Sequence, residues 1–110
     1  MNPKITSPII GCAIVTYNRL NLLKENISAL KQQTYPLHKI FIIDNCSTDG
    51  TKEYLDSLSN DPQMQITHLS ENKGGAWGFY EGIKQAVLAK CEYVWIMDDD
   101  TIPTHNALTE

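Results

Sequence analysis

Three consecutive aspartates, Asp98-Asp99-Asp100, directly follow an apolar run at residues 93–97. Three adjacent carboxylates repel one another unless a cation lies among them. Alternate side chains of an extended backbone share a face, so Asp98 and Asp100 are predicted to point together and Asp99 to point away as a bystander. Two carboxylates on one side suit Mg²⁺ or Mn²⁺, which bind oxygen ligands and keep positions for water and substrate phosphates. The alternative is an acidic surface loop without a ligand.

A second candidate is the glycine-rich segment 72–78, Asn-Lys-Gly-Gly-Ala-Trp-Gly. Glycine lets backbone N–H groups approach a ligand closely, and a helix that starts there would present its N-terminus to an anion. The segment has neither the G-x-G-x-x-G spacing nor the Lys-Ser/Thr pair of a P-loop. A tight turn into a helix explains it equally well.

Several single residues could also contact a ligand. Asp44 follows the apolar run 39–43 and could accept a hydrogen bond from a base or a ribose, although a turn role fits it equally well. Asp49 lies in the next polar turn and is interpreted as structural. Arg19 could pair with a phosphate. His68 is interpreted as a surface or strand-flanking residue.

The apolar patterns predict four strands and three helices in alternation. Short apolar runs predict strands at residues 9–15, 39–43, 64–69 and 93–97. Apolar residues spaced 3, 4 and 3 apart predict a first helix at about 20–33, capped by Asn18. A second helix is expected at about 51–58. The third follows the glycine-rich segment, and its buried face is predicted to consist of Phe79, Ile83, Ala86 and Val87.

A β-α-β-α-β-α-β order predicts an α/β fold of three layers, α/β/α, with a mostly parallel sheet and right-handed crossovers. The expected strand order is 3-2-1-4. Ligands of such open sheets bind outside the carboxyl ends of the strands, where the strand order reverses. The polar segments described above all follow strand ends, so they are predicted to converge on one edge of the sheet.

Composition narrows the classes of function. The 110 residues suit one compact domain, residues 1–110, and 42% hydrophobic residues exclude a disordered tail. A net charge of −4 without any run of Lys and Arg argues against a nucleic-acid partner. Three cysteines without a C-x-x-C pair indicate reduced thiols and a cytoplasmic protein. The apolar run 9–15 is too short to span a bilayer and does not resemble a signal peptide, so no transmembrane segment is predicted.

Four segments occur in the order typical of one enzyme family. They are Val15-Thr16-Tyr17-Asn18-Arg19, Ile43-Asp44-Asn45-Cys46-Ser47-Thr48-Asp49-Gly50-Thr51, Asn72-Lys73-Gly74-Gly75-Ala76 and Asp98-Asp99-Asp100. Together they resemble the family 2 glycosyltransferases, which have the Rossmann-like GT-A fold. The resemblance is especially to the rhamnosyl- and galactofuranosyl-transferase branch, which shares a similar glycine-rich turn and a triple Asp. It extends over residues 9–103.

The resemblance implies a nucleotide-sugar site. Asp44 would accept a hydrogen bond from the N3–H of uracil or from the matching edge of thymine. Asp98 and Asp100 would hold Mg²⁺ or Mn²⁺ on the diphosphate. Trp77 stands where the family more often has a small residue. Trp77 is therefore expected to narrow the pocket or to stack on a ligand. The residues implied in binding the nucleotide-sugar are Thr16, Tyr17, Asn18, Arg19, Asp44, Asn45, Asn72, Gly74, Gly75, Trp77, Asp98 and Asp99.

The resemblance also implies an activity. The family transfers a sugar with inversion, here from a UDP- or dTDP-sugar to a glycan or a lipid-linked acceptor. Its catalytic base lies further along the chain than Glu110, so we expect a donor-binding portion that does not transfer sugar efficiently by itself. The expected location is the cytoplasm, with a peripheral position on the inner face of the membrane as an option.

Two other functions fit parts of the sequence. The strand that ends in Asp98 and continues to Thr101 also matches the D-x-D-x-T pattern of haloacid-dehalogenase-like phosphatases, with Asp98 as nucleophile and Asp100 as acid and base. That fold needs a long segment after the motif, and only ten residues follow Asp100. A nucleotide-binding module without turnover is the non-enzymatic alternative.

Overall fold

The structure, a computed structural model, describes residues 8–104 and 106–109, so the predicted single domain is compared over these residues. Strands and helices alternate in the predicted order. They are β1 (Ile10–Thr16), α1 (Leu20–Lys31), β2 (Lys39–Asp44), α2 (Thr51–Asp56), β3 (Met64–His68), α3 (Gly75–Leu88) and β4 (Tyr93–Asp98), followed by a 3-10 turn at Ala107–Thr109. All strand pairs are parallel, and the order β3-β2-β1-β4 confirms the predicted topology.

The main core lies between the sheet and helices α1 and α2. Strand residues that alternate along β1, β2 and β4 pack there against the apolar face of α1, which confirms the 3.6-residue spacing read for that helix. Each large apolar side chain buried in this way contributes about 1.5–3 kcal/mol. The fully or almost fully buried members are Cys12, Ile14, Leu23, Ile27, Leu30, Leu37, Ile40, Ile42, Leu55, Met64 and Met97.

Helix α3 covers the other face of the sheet, and it does so with its smallest residues. Gly78, Gly82 and Ala86 are its buried residues. A Cβ atom added to Gly78 would lie 2.8 Å from both γ-carbons of Val15, so the helix backbone rests almost directly on β1. The predicted buried face is therefore wrong for Val87, which is 64% exposed. The prediction followed the large apolar residues of α3, whereas the helix packs closely on the sheet through its glycines.

The described helices show no segment that is both long and apolar enough to cross a membrane.

The loop after β2 caps helix α1. Asn18, the predicted cap, has a φ of 51° and uses its side-chain oxygen to accept a hydrogen bond from the Thr48 N–H at 2.7 Å. The first helical N–H group, that of Leu20, donates instead to Asp49 at 3.2 Å. Asp49 also accepts hydrogen bonds from the N–H and the hydroxyl of Thr51, at the start of α2. The capping prediction for Asn18 is thus wrong, because a residue 29 positions along the chain reaches the helix start.

Replacing Asp49 by Ala is expected to lower the free energy of unfolding by about 1–2 kcal/mol at pH 7, since two helix starts lose their acceptor. The hydrogen bond from the Thr51 hydroxyl holds the pKa of Asp49 below its ordinary value. A carboxyl with a lowered folded pKa stabilises fully above its unfolded pKa, and this stabilisation is lost as the pH falls through the folded pKa. Chemical denaturation at a series of pH values should therefore show that the difference in free energy of unfolding between wild type and Asp49→Ala becomes smaller in acid.

The control is Asp49→Asn, which keeps an acceptor but does not titrate. It should retain most of the stability at neutral pH and show a smaller acid loss than wild type. A gap between wild type and Asp49→Ala that stays constant down to the lowest pH would contradict the capping role of the carboxylate.

Candidate functional site

A cleft of about 440 Å³ opens at the carboxyl edge of the sheet. It lies between the ends of β1 and β4, where the strand order reverses, as predicted for a ligand site of an open α/β sheet. Its volume falls within the range of small-molecule sites in proteins. The lining residues are Val15, Thr16, Tyr17, Arg19, Asn45, Asn72, Gly74, Gly75, Phe79, Asp98 and Asp99.

Most of the predicted site residues meet in this cleft, and four do not. Asn18, Asp44, Trp77 and Asp100 lie outside its lining. Val15 and Phe79 also line the cleft, and neither was predicted to do so. An apolar residue at a strand end or near the start of a helix cannot be distinguished from a core residue by its type or spacing. Only their neighbours, Thr16 and the glycine-rich segment, hint at their position.

The acidic triplet forms a turn and is not an extended segment. Strand β4 ends at Asp98, and the Thr101 N–H donates to the Asp98 carbonyl oxygen at 3.1 Å. Asp99 is only 4% exposed and accepts a hydrogen bond from the Thr16 hydroxyl at 2.9 Å. The interpretation of Asp99 as a bystander is therefore wrong, because the neighbouring strand β1 brings Thr16 to the side of the sheet on which Asp99 lies, and Asp99 lines the cleft there. Burial raises the pKa of the Asp99 carboxyl, while the Thr16 hydrogen bond and Arg19 partly oppose this effect.

Arg19 reaches across the mouth of the cleft to the acidic turn. Its Nη1 lies 3.3 Å from Asp100 and 3.6 Å from Asp99, and about half of its side chain is exposed. The guanidinium offsets part of the charge of Asp99 and Asp100. Because Arg19 also lines the cleft, a phosphate that entered the site would compete with these carboxylates for it.

Asp44 and Asn45 point to opposite sides at the end of β2. Asp44 is 1% exposed and accepts hydrogen bonds from the Ser47 N–H at 3.0 Å and from His68 at 2.8 Å. It continues the face of β2 that packs on α1 and α2, so its carboxylate does not line the cleft. Asn45 lines the cleft in its place. His68, interpreted from the sequence as a flanking residue, links Asp44 to Asp56, which lies 2.9 Å from its other ring nitrogen.

Asn45 holds the glycine-rich turn in place. Its side-chain amide donates to the Gly74 carbonyl oxygen and accepts from the Lys73 N–H, both at 3.0 Å. Asn72 accepts a hydrogen bond from the Gly74 N–H at 2.8 Å. Gly74 has a φ of 85°, which a residue with a Cβ adopts only with strain. The turn therefore presents the N-terminus of α3 to the cleft, with open space around Gly74 and Gly75.

Trp77 lies on the outer side of the first turn of α3. The residue is 43% exposed, the centre of its ring is 5.4 Å from that of Tyr80, and the Lys73 amine lies 5.0 Å from the ring centre. Trp77 therefore does not narrow the cleft, since the tight packing of Gly78 on β1 turns the preceding residue outward.

The oxygen ligands that remain for a cation are the carboxylates of Asp98 and Asp100. Both are exposed, whereas Asp99 is buried and bonded to Thr16. Residues 8–104 and 106–109 contain no cluster of three or more His, Cys, Asp or Glu side chains that could enclose a metal by themselves. Mg²⁺ and Mn²⁺ commonly use one or two carboxylates and complete their shell with water and substrate phosphates. Two exposed carboxylates, one in the cleft and one paired with Arg19, fit a cation of that kind by their chemistry.

The fold and the cleft together define the class of protein. The parallel sheet, the reversal of strand order and the polar cleft are those of an open α/β domain whose ligand site lies at the carboxyl edge of the sheet. The sequence model of glycosyl transferase family 2 matches residues 12–110, and the chain belongs to this family.

Similar proteins agree with this assignment. The glycosyltransferase GlyG of Streptococcus pneumoniae is 34% identical over 104 residues, which are 93% of this chain and 33% of GlyG. The poly-β-1,6-N-acetyl-D-glucosamine synthase of Staphylococcus epidermidis is 31% identical over 93 residues, 84% of this chain and 22% of the synthase. The crystal structure of TarS from Staphylococcus aureus in complex with UDP superimposes with a TM-score of 0.79 at 25% identity, covering 92% of this chain and 30% of that one. The chain thus spans a third or less of these relatives.

The family assignment also decides between the two enzyme classes that fit the sequence, the glycosyltransferases and the haloacid-dehalogenase-like phosphatases. The fold is the GT-A arrangement, and the apolar strand with D-x-D-x-T belongs to a glycosyltransferase domain. The phosphatase alternative is therefore wrong. Its signal was a short acidic motif after a strand, which both enzyme classes use.

Proposed function

We propose that the cleft binds the donor of a metal-dependent, inverting glycosyltransferase, a UDP- or dTDP-sugar, and that this chain is the donor-binding portion of such an enzyme. The observation that carries the proposal is the position of two segments on one cleft. The acidic turn lies on one side of it, and the glycine-rich turn with the N-terminus of α3 lies on another. A diphosphate needs both a cation and hydrogen-bond donors, and these two segments supply them.

The diphosphate would lie between Gly74-Gly75 and the acidic turn. The first N–H groups of a helix have no partner within the helix, so the start of α3 can donate to phosphate oxygens. Asp98 and Asp100 would hold Mg²⁺ or Mn²⁺, which when bound acts as a Lewis acid for the departing nucleoside diphosphate. Arg19 would exchange its contact with Asp100 for a phosphate, since guanidinium groups bind both.

Asn45 is the residue proposed to face the base. After its two bonds to the glycine-rich turn, its amide retains one N–H and one lone pair. The remaining N–H and lone pair of the amide can bond to a pyrimidine edge that offers both an acceptor and a donor. The crystal structure of TarS contains UDP, which supports a uracil nucleotide. The named product of the S. epidermidis synthase, a polysaccharide, supports a glycan or lipid-linked glycan as acceptor.

Calorimetric titration tests the proposal directly. UDP or dTDP should bind to the chain at least about tenfold more tightly with Mn²⁺ or Mg²⁺ than with EDTA, a difference of about 1.4 kcal/mol. The reason is that the cation removes the repulsion between the acidic turn and the diphosphate. GDP serves as the control for base recognition and should bind more weakly.

Two results would count against the proposal. Equal affinity for UDP with and without a divalent cation would show that donor binding does not depend on a metal. No binding of any nucleoside diphosphate at millimolar concentration would leave the cleft without its proposed ligand.

A further inference from the structure

Two side-chain amides connect helix α1 to the segment that follows the acidic turn. Asn26 is fully buried in α1, and its Nδ2 donates to the Thr101 carbonyl oxygen at 2.6 Å. Gln33, just beyond the end of α1 and 8% exposed, donates from Nε2 to the Thr104 carbonyl oxygen at 2.7 Å. The two bonds therefore join the C-terminal half of α1 and the residue after its cap to the segment 101–104.

These amides are poorly explained as parts of the core. Asn26 lies among Leu23, Ile27 and Leu30 on the apolar face of α1. The side-chain oxygens of Asn26 and Gln33 are buried, and no group among residues 8–104 and 106–109 donates a hydrogen bond to them. A buried acceptor without a donor destabilises the folded state, and an apolar side chain of similar size would avoid that loss. Asn26 Nδ2 also contacts Met97 Sδ at 3.2 Å, and Gln33 Nε2 also contacts the Ala29 carbonyl oxygen at 3.3 Å. The shorter bonds, to the Thr101 and Thr104 carbonyl oxygens, are the ones that offset the cost of the two buried oxygens.

What they hold is the exit of the acidic turn. The turn is fixed on the cleft side by the bond from the Thr16 hydroxyl to Asp99, and it is closed by the bond from the Thr101 N–H to the Asp98 carbonyl oxygen. The carbonyl of that same Thr101 is the acceptor for Asn26. The turn is therefore held by β1 through Thr16 and by α1 through Asn26.

We infer that Asn26 and Gln33 are positioning residues that hold the turn Asp98–Asp100 in a shape ready to bind a cation and a diphosphate. A turn that is already ordered loses less conformational freedom when the ligand binds, so affinity rises without a new contact to the ligand. The part of this inference that concerns the cation rests on the proposed function. The part that concerns the order of the turn stands on the hydrogen bonds alone.

The test is Asn26→Leu, which has a similar volume and no polar atom. The melting temperature is expected to stay at or above that of wild type. Amide hydrogen exchange at residues 99–102 should become about tenfold faster, and the affinity for UDP with Mn²⁺ should fall by about tenfold, because the turn must be ordered during binding. Gln33→Leu should act in the same direction with a smaller effect, since it holds the chain three residues further from the turn.

Gln32→Leu is the matched control. Gln32 is the neighbouring exposed amide, and its Nε2 donates to the Ser28 hydroxyl at 3.3 Å, within its own helix. Its replacement should leave exchange and affinity unchanged. Wild-type exchange and affinity in Asn26→Leu would overturn the inference, and so would a large loss of stability, since the amide would then serve the core.

The two proposals fail in different ways. If wild type binds no nucleoside diphosphate but Asn26→Leu still accelerates exchange at 99–102, the proposed function is wrong and the positioning role holds. If wild type binds UDP with Mn²⁺ and Asn26→Leu and Gln33→Leu bind it equally well, the positioning role is wrong and the proposed function holds.

Discussion

Gly78→Val is expected to lower the free energy of unfolding by about 3 kcal/mol, near the upper end of the usual range for overpacked cores. The first added carbon would lie 2.8 Å from both γ-carbons of Val15. Val15 is β-branched and stiff at χ1, so it cannot rotate both methyl groups away, and α3 must move off the sheet. For a chain of this size the melting temperature should fall by more than about 10 °C. Thermal unfolding followed by circular dichroism measures it.

Gly75→Val is the matched control in the same helix. A Cβ at Gly75 would meet no atom within 4 Å, so stability should change by less than about 0.5 kcal/mol. Because Gly75 lines the cleft, this variant should instead bind UDP more weakly. A melting temperature of Gly78→Val within a few degrees of wild type would show that α3 does not depend on close contact with β1.

The second large effect is expected at Asp98. Asp98→Asn should weaken Mn²⁺-dependent binding of UDP by about a hundredfold, or about 2.7 kcal/mol, because a carboxylate that faces both cation and diphosphate is lost. Asp98 is exposed and lines the cleft, so the fold should be kept and stability should change by less than about 0.5 kcal/mol. Calorimetry with and without Mn²⁺ separates the metal-dependent part.

Asp61→Asn controls for the loss of one negative charge. Asp61 pairs with Lys31 far from the cleft, and its replacement should leave the affinity for UDP unchanged. If Asp98→Asn retains the full effect of Mn²⁺, the cation is held elsewhere and the role proposed for the acidic turn does not stand.

Much of the architecture could be predicted from local patterns. The apolar runs that became β1, β2 and β4 are buried or half-buried strands, and their alternation with helices implied the order β3-β2-β1-β4. Both inferences depend on short-range periodicity and on the right-handed crossover, which any parallel sheet obeys. The segments that follow the strand ends were expected at one edge for the same reason, and most of them meet there.

Distances between segments far apart in sequence could not be predicted in this way. Asp49 caps α1 from the loop after β2, and Asn45 rather than Asp44 faces the cleft. The second difference depends on a shift of one residue at the end of a strand, which exchanges the two faces of the sheet. Neither residue type nor spacing reveals where a strand ends to that accuracy.

The acidic turn shows both contributions. The sequence by itself determined that three aspartates follow a buried strand and that a cation would relieve their repulsion. Only the tertiary structure decided their separate positions, with Asp99 buried against Thr16, Asp98 in the cleft and Asp100 beside Arg19. The physical reason is that β4 ends at Asp98, so the last two carboxylates are placed by contacts with Thr16 of β1 and with Arg19 just before α1, which lie 83 and 81 residues earlier in the chain.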